Sequence, residues 1–200
     1  AEGGVDTKKK NSDSDDSKEP PEVPGVTAPE VAGNLKIHFI DVGQADSILI
    51  QANNGKSMLV DAGNNADADT IISYIKKHNI TSFDYVVGTH PHEDHIGSLD
   101  TVIDTFNVDK VIMPKVAHTT QTYLDALTAI KDKGLKITAP VPGTEYKLGD
   151  TKFAVLAPNS DNYEGLNDYS VVIKLTHGIN SFLFTGDAET VSENEMLGKG

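Results

Sequence analysis

A layered α/β domain is the fold class that this chain of 200 residues predicts. Two observations carry that expectation. From residue 35 onward, short β-rich runs are interleaved with segments whose apolar residues recur at helical spacing, a pattern that places helices on the faces of mixed sheets. A length of 200 residues also suits one domain with a useful core better than two.

The elements follow in order. Residues 35–40, 46–51 and 57–61 read as strands, the last two joined by the turn Asn53-Asn54-Gly55, so the domain opens antiparallel. Residues 69–78 carry Ile71, Ile72 and Ile75 at helical spacing, with Asp67 or Asp69 available as a cap and Lys76-Lys77 suited to the negative end of the helix dipole. Residues 85–89 form a strand, and Ile96, Leu99, Ile103 and Phe106 make one apolar face of the helix that follows. A strand over 108–113 stops at Pro114. Residues 123–133 predict a helix capped by Gly134, and 135–138 a short strand. Residues 146–148 with 152–156, and 170–175 with 181–185, predict two hairpins.

Residues 1–33 are of a different kind: Lys8-Lys9-Lys10, a Ser/Asp run and Pro20, Pro21, Pro24 and Pro29 leave almost no large apolar side chain to offset the entropy of ordering. They predict a disordered tether ahead of a domain spanning 34–200, as suits a protein that is extracellular or tethered at a cell surface. Of the formal net charge of −13, eight acids and four lysines fall in residues 1–33, which leaves −9 on the domain. That field repels nucleic acid and anionic membrane. All 17 cationic side chains are lysine, so the fork that reads phosphates and base edges bidentately is missing and sequence-specific DNA reading is not expected. With no cysteine, any metal must be held by histidine and carboxylate. No apolar run approaches the about 18–20 residues that span a bilayer, so no stable membrane insertion is expected.

The chemistry concentrates in Thr89-His90-Pro91-His92-Glu93-Asp94-His95. Pro91 pushes His90 toward an extended conformation, which projects the imidazoles of His90 and His92 to the same side, where they can grip one ion. Asp94 and His95 stand at the start of the next helix and can serve a second. The helical zincin motif is rejected, because His92 and His95 are three residues apart and Pro91 precedes them; Glu93 is then solvent-facing. A second cluster, Phe184-Thr185-Gly186-Asp187, sets a carboxylate at a strand end, able to bridge two cations or to cap the following helix.

Together with Leu59-Val60-Asp61-Ala62-Gly63, these motifs resemble the metallo-β-lactamase superfamily, over residues 35–200. The opening His38-Phe39-Ile40-Asp41-Val42-Gly43-Gln44-Ala45-Asp46-Ser47 is more narrowly similar to the soluble domain of ComEC-like competence DNA-uptake proteins, and phosphorylcholine esterases share a similar opening. The resemblance implies a four-layer α/β/β/α sandwich and two divalent metal ions, zinc or manganese. It implies that His90 and His92 hold metal one, Asp94 and His95 metal two, and Asp187 bridges both, with a hydroxide between them as nucleophile. Asp94 and Asp61 are then the catalytic carboxylates, Asp61 acting from behind the ligands, although a purely loop-steadying role for Asp61 stands beside that. Gln44 and Asp46 are expected to support the site.

Two departures from the family pattern are legible. Where most members place a third metal-one histidine, residues 165–170 offer Asn167 or Asp168, so Asn167 is the candidate oxygen ligand. The chain also stops at Gly198-Lys199-Gly200, where the superfamily continues to further strands and a last histidine, which predicts a fold truncated at the C-terminus. His177 is expected in a surface turn, His118 in a solvated loop, His38 on a sheet face and His78 in the last turn of a helix. The functional expectation is hydrolysis of a small phosphodiester or single-stranded nucleic acid. Lactone or thioester hydrolysis, and a surface binding module with a degenerate metal site, are the alternatives; the oligomeric state is left open.

Overall fold

The computed structural model describes residues 33–198, so the tether expected over residues 1–33 lies, apart from Gly33, outside the described residues. The strands are β1 (Lys36–Phe39), β2 (Ile48–Gln51), β3 (Ser57–Val60), β4 (Ser82–Phe83), β5 (Tyr85–Val87), β6 (Asn107–Val108), β7 (Val111–Ile112), β8 (Ile137–Thr138), β9 (Glu145–Leu148), β10 (Thr151–Ala157), β11 (Val172–His177) and β12 (Asn180–Phe184). The helices are α1 (Ala68–Lys77), α2 (Glu93–Ile96), α3 (Leu99–Thr105), α4 (Gln121–Asp132) and α5 (Thr190–Leu197).

A six-stranded sheet has the order β1-β2-β3-β5-β7-β8, antiparallel through β3 and parallel from β3 to β8. A four-stranded antiparallel sheet has the order β12-β11-β10-β9, and β4 pairs with β6. Alternation along the strands divides the apolar side chains between two cores. Ile48, Ile50, Met58, Val60, Val87 and Ile112 face Phe153, Val155, Ile173, Leu175 and Phe184 of the second sheet. Leu49, Leu59, Val86 and Val111 point the other way, onto Ile71, Ile75, Leu99, Ile103, Ala126 and Ile130 of the helices. Helix α5 lies beside β10 on the outer side of the second sheet, where Met196, Leu156 and Lys174 line one cleft. The layers are thus helix, sheet, sheet, helix, as expected. The four parallel strands send their C-terminal ends to one edge, which is where ligands gather in such sheets.

Local departures from the expected elements have identifiable causes. The helix anticipated from Ile96 to Phe106 is broken into α2 and α3, although all four apolar residues are buried. At the break, Gly97 N–H donates to Gly63 O at 2.7 Å, and a Cβ on Gly97 would stand 2.2 Å from Asn64 C. The backbones meet there, and only glycine permits it. The strand expected over 108–113 is two short pieces, β6 and β7, in different sheets. Asp67 occupies the N-cap position of α1 without capping it; its Oδ2 accepts from Asn64 N–H and Nδ2 instead. Thr120, not foreseen, caps α4 by accepting from Tyr123 N–H.

Candidate functional site

Parallel pairing of β3 with β5 sets the ends of the two strands side by side, so Asp61 and Thr89 meet directly. Asp61 sits at φ 59, a left-handed conformation that aspartate tolerates better than most residues. Its N–H donates to Val87 O at 2.8 Å. Its carboxylate accepts from Thr89 N–H at 2.8 Å, from Thr89 Oγ1 at 2.7 Å and from His95 Nδ1 at 2.8 Å. Asp61 therefore stands behind the site rather than on its open face: it steadies the loop, as one of the two expectations had it, and it also holds a histidine, which was not foreseen. The loop after β3 is also stitched to α2 and to the β1–β2 loop. Ala62 N–H donates to His95 O, Gly63 N–H to Asp46 O and Asp46 N–H to Asp94 O.

Five of the expected ligands, His90, His92, Asp94, His95 and Asp187, come together at this strand edge, whereas no contact joins Asn167 to them. His90 Nε2 is 3.0 Å from His92 Nδ1 and 3.9 Å from Asp187 Oδ2. His95 Nε2 is 3.2 Å from Asp187 Oδ1 and 3.9 Å from Asp94 Oδ2. One atom from each of His90, His95 and Asp187 lies within 4.8 Å of the others, and Asp46, Asp61 and His95 form a second such group. Imidazole nitrogens and carboxylate oxygens at this spacing fit a divalent ion such as zinc or manganese. The orientation of the rings fits as well, since a metal-ligating imidazole has its other nitrogen hydrogen-bonded. His95 Nδ1 is on Asp61, and His90 Nδ1 lies 3.2 Å from Thr89 Oγ1 and 3.4 Å from Ser170 Oγ.

Asp187 reaches the site because the chain turns at Gly186, two residues beyond the end of β12, with a φ of +50 at a point where a Cβ would collide with Thr89 at 2.9 Å. Ser170 Oγ accepts from Asp187 N–H at 3.2 Å. The alternative role of Asp187, capping the last helix, belongs to Asp168: its Oδ1 accepts from Glu189 N–H and Ser192 N–H, 3.2 Å each. Asp168 is thereby committed to α5. Asn167 donates from Nδ2 to Glu189 Oε1 at 2.9 Å, while its Oδ1 is buried and without a hydrogen-bond partner.

Burial and charge divide the histidines electrically. Burial, reinforced by the charges of His95 and His92, pulls the His90 pKa down to about 3, so its ring is neutral and able to ligate. Burial also acts to lower that of His95, but the hydrogen bond and charge of Asp61, with Asp187 and Asp94, outweigh it and push His95 up to about 9. Burial pushes the Asp61 carboxyl up, against donors that favour its ionised form. Without metal, His95 is an imidazolium between Asp61 and Asp187.

The remaining histidines are sorted by the fold. His118, on the loop after β7, is half-buried rather than free in solvent, and its ring centroid stands 6.5 Å from that of His92. His177 ends β11, bonded to Thr151 Oγ1 at 2.9 Å. His38 lies between Tyr74 and Gln51 with the ring of His78 beside it. Glu93 is exposed. Thr89 and Ser170 were not foreseen. Thr89 adjoins the motif and could have been suspected, whereas nothing local to Ser170 predicts its approach to His90, 80 positions away.

The chain belongs to the metallo-β-lactamase superfamily, whose model matches residues 40–200. Among curated relatives it is 24% identical to ComE operon protein 3 of Bacillus subtilis over 84% of this chain and 24% of that protein. It is 27% identical to Recombination protein 2 of Haemophilus influenzae over 82% of this chain and 20% of that one. The chain thus spans about a quarter or less of the length of these relatives. Among solved structures, a metallo-β-lactamase of Cronobacter sakazakii superposes with a TM-score of 0.54 at 15% identity, covering 74% of this chain and 60% of that one. The metallo-β-lactamase SMB-1 gives 0.52 at 16% identity, covering 81% and 68%. These likenesses establish the fold. Among the described residues, no helix is long and apolar enough to cross a membrane.

Proposed function

We propose that this domain is a two-metal phosphodiesterase acting on small phosphodiesters or single-stranded nucleic acid. The observation that carries the reading is the convergence of the His90, His95 and Asp187 ligand atoms within 4.8 Å, with His92 Nδ1 3.0 Å from His90 Nε2. In this reading His90 and His92 hold one ion, Asp94 and His95 the other, and Asp187 lies between them. Asn167, whose Oδ1 is buried and without a hydrogen-bond partner, is the candidate carbonyl donor in place of a third histidine. Divalent ions bound by these residues would supply Lewis-acid polarisation of a phosphoryl oxygen and a more acidic water, chemistry that suits a phosphodiester. The protein contributes orientation: Asp61 fixes His95, while Thr89 and Ser170 hold His90 and the Asp187 backbone.

The name Recombination protein 2 supports a nucleic-acid substrate rather than a β-lactam or lactone. The acidic, arginine-free domain supports local chemistry on one phosphate, without a long electrostatic track. A domain displayed outside the cell or at its surface suits that reading. The test is metal content, together with hydrolysis of bis(p-nitrophenyl) phosphate, single-stranded DNA, phosphorylcholine esters, lactones and thioesters with zinc or manganese at two salt concentrations. Turnover of phosphodiesters with weak DNA affinity is expected. Activity confined to lactones or thioesters overturns the assignment, and tight, steeply salt-dependent DNA binding overturns its electrostatic part.

A further inference from the structure

The strand edge that carries the metal ligands continues past them. Strands β5, β7 and β8 are parallel neighbours, so the loops that follow them open on the same side. The first carries His90 and His92. The second, residues 113–120, and the start of the third wall a groove of about 740 Å³. The loop is braced from within: Tyr123 Oη donates to Val116 O at 2.7 Å, and Thr120 Oγ1 bonds His118 Nδ1 at 2.9 Å. His118 lines the groove at the end toward the ligands, its ring 6.5 Å from that of His92.

The other walls are apolar, chiefly Ala117, Leu127 and Ile137, and Ile137 is 38% exposed although it is a strand residue. A single charged side chain lines the groove, the cation Lys115. Lys115 and Ala139 also line a smaller cavity of about 260 Å³, which runs on to Ser160 and Tyr169 of the second sheet's loop. The groove therefore adjoins the proposed ligands through His118, has apolar walls, and carries one cation, Lys115, where it meets the smaller cavity, which Asp161 also lines. A ligand that matches has an anionic group at the ligand cluster, a second anionic group within reach of Lys115, and an apolar face for the walls. An acyl chain would use the walls but would have no use for Lys115, which is the one charged side chain of the groove itself and favours an anion there.

We propose that this groove is a nucleoside subsite, in which a base of the substrate lies against Ala117, Leu127 and Ile137 and the phosphate beyond it is held by Lys115. The assignment rests on the phosphodiester reading above for the position of the scissile phosphate, but it concerns binding and needs no turnover to be tested. It makes the domain selective for nucleotides without base-edge contacts, through an apolar surface that any base can cover.

Thymidine 3′,5′-bisphosphate and the corresponding abasic deoxyribose bisphosphate carry the same phosphates, so calorimetric titration of the metal-loaded protein with each isolates the base. The thymidine compound should bind about tenfold more tightly, with NMR shifts at the Leu127 and Ile137 methyl groups. Ala117→Trp, at an exposed loop position, should fill the groove and remove the preference while leaving abasic binding unchanged. Lys115→Met should weaken both bisphosphates by roughly fivefold and leave inorganic phosphate unaffected. Equal affinity for the two compounds, or methyl shifts elicited by a medium-chain lactone and not by the nucleotide, overturns the subsite. Base-dependent binding in a protein that cleaves no phosphodiester supports the subsite and overturns the phosphodiesterase reading alone.

Discussion

Nδ1 of His95 lies 2.8 Å from Oδ2 of Asp61, and both side chains are almost wholly buried. The contact makes the Nδ1–H a donor and turns Nε2 toward Asp187 and Asp94, so the orientation of one ligand is decided by a carboxylate 34 positions earlier in the chain.

Asp61→Asn tests that dependence. Asparagine also tolerates the left-handed backbone at φ 59, so the fold should survive, while the weaker acceptor should lower metal affinity by about 10–100-fold. Competition with a chromogenic chelator measures it, and circular dichroism confirms the fold. Unchanged affinity would show that His95 is oriented by something else.

Metal uptake should release a proton. At pH 7 His95, raised to about 9, is protonated, whereas His90, lowered to about 3, is already neutral. Ligation by Nε2 displaces the His95 proton, so apparent affinity should fall about tenfold for each unit of pH below 9. Calorimetry in buffers of different ionisation enthalpy reads the proton count, and binding without proton release at pH 7 contradicts the assignment.

Stability of the metal-free protein should depend on the same pair with a definite sign. The folded His95 pKa exceeds the unfolded value of 6.5, so its contribution is fully present below pH 6.5 and is lost as pH rises through about 9. His90, lowered to about 3 when folded, still binds protons in the unfolded state near pH 6.5 and opposes the trend there, but above about pH 7.5 it is neutral in both states. Denaturant midpoints should therefore fall between about pH 7.5 and 9; a rise in that window would refute the Asp61–His95 pairing in the metal-free state.

Asp168 and Asp187 should separate capping from ligation. Asp168→Ala removes the acceptor for Glu189 and Ser192 N–H and should cost about 1 kcal/mol, a Tm decrease of roughly 2–4 °C, with metal content retained. Asp187→Ala should lose metal with little change in the metal-free Tm, and His92→Ala should lose the ion it shares with His90. Metal analysis beside thermal melts distinguishes them; full occupancy in Asp187→Ala or His92→Ala counts against the ligand set.

Gly97→Ala should destabilise by roughly 1–3 kcal/mol or more, because the new methyl would occupy the space of the Asn64 backbone. The displaced loop carries Asp61, so metal affinity should fall in parallel with the melting temperature. A variant with wild-type stability would mean that α2 and α3 can part from that loop.

The amino-acid sequence by itself determined what is local. His90, His92, Asp94 and His95 are within six positions, and strand, proline and helix geometry suffice to aim them at a common region. Apolar spacing likewise determined which helix faces are buried, although not the break at Gly97, which exists because another loop's backbone occupies that space. The tertiary structure decided the rest. Asp168 and Asp187 are both carboxylates next to the last helix, and only the stacking of β12 against the Thr89 strand end shows that one caps and the other faces the histidines. The pairings of Asp61 with His95, of Ser170 with His90 and of His118 with His92 join loops after different strands. They depend on the register between strands and between sheets, which is set by the packing of two whole cores and leaves no period in the chain.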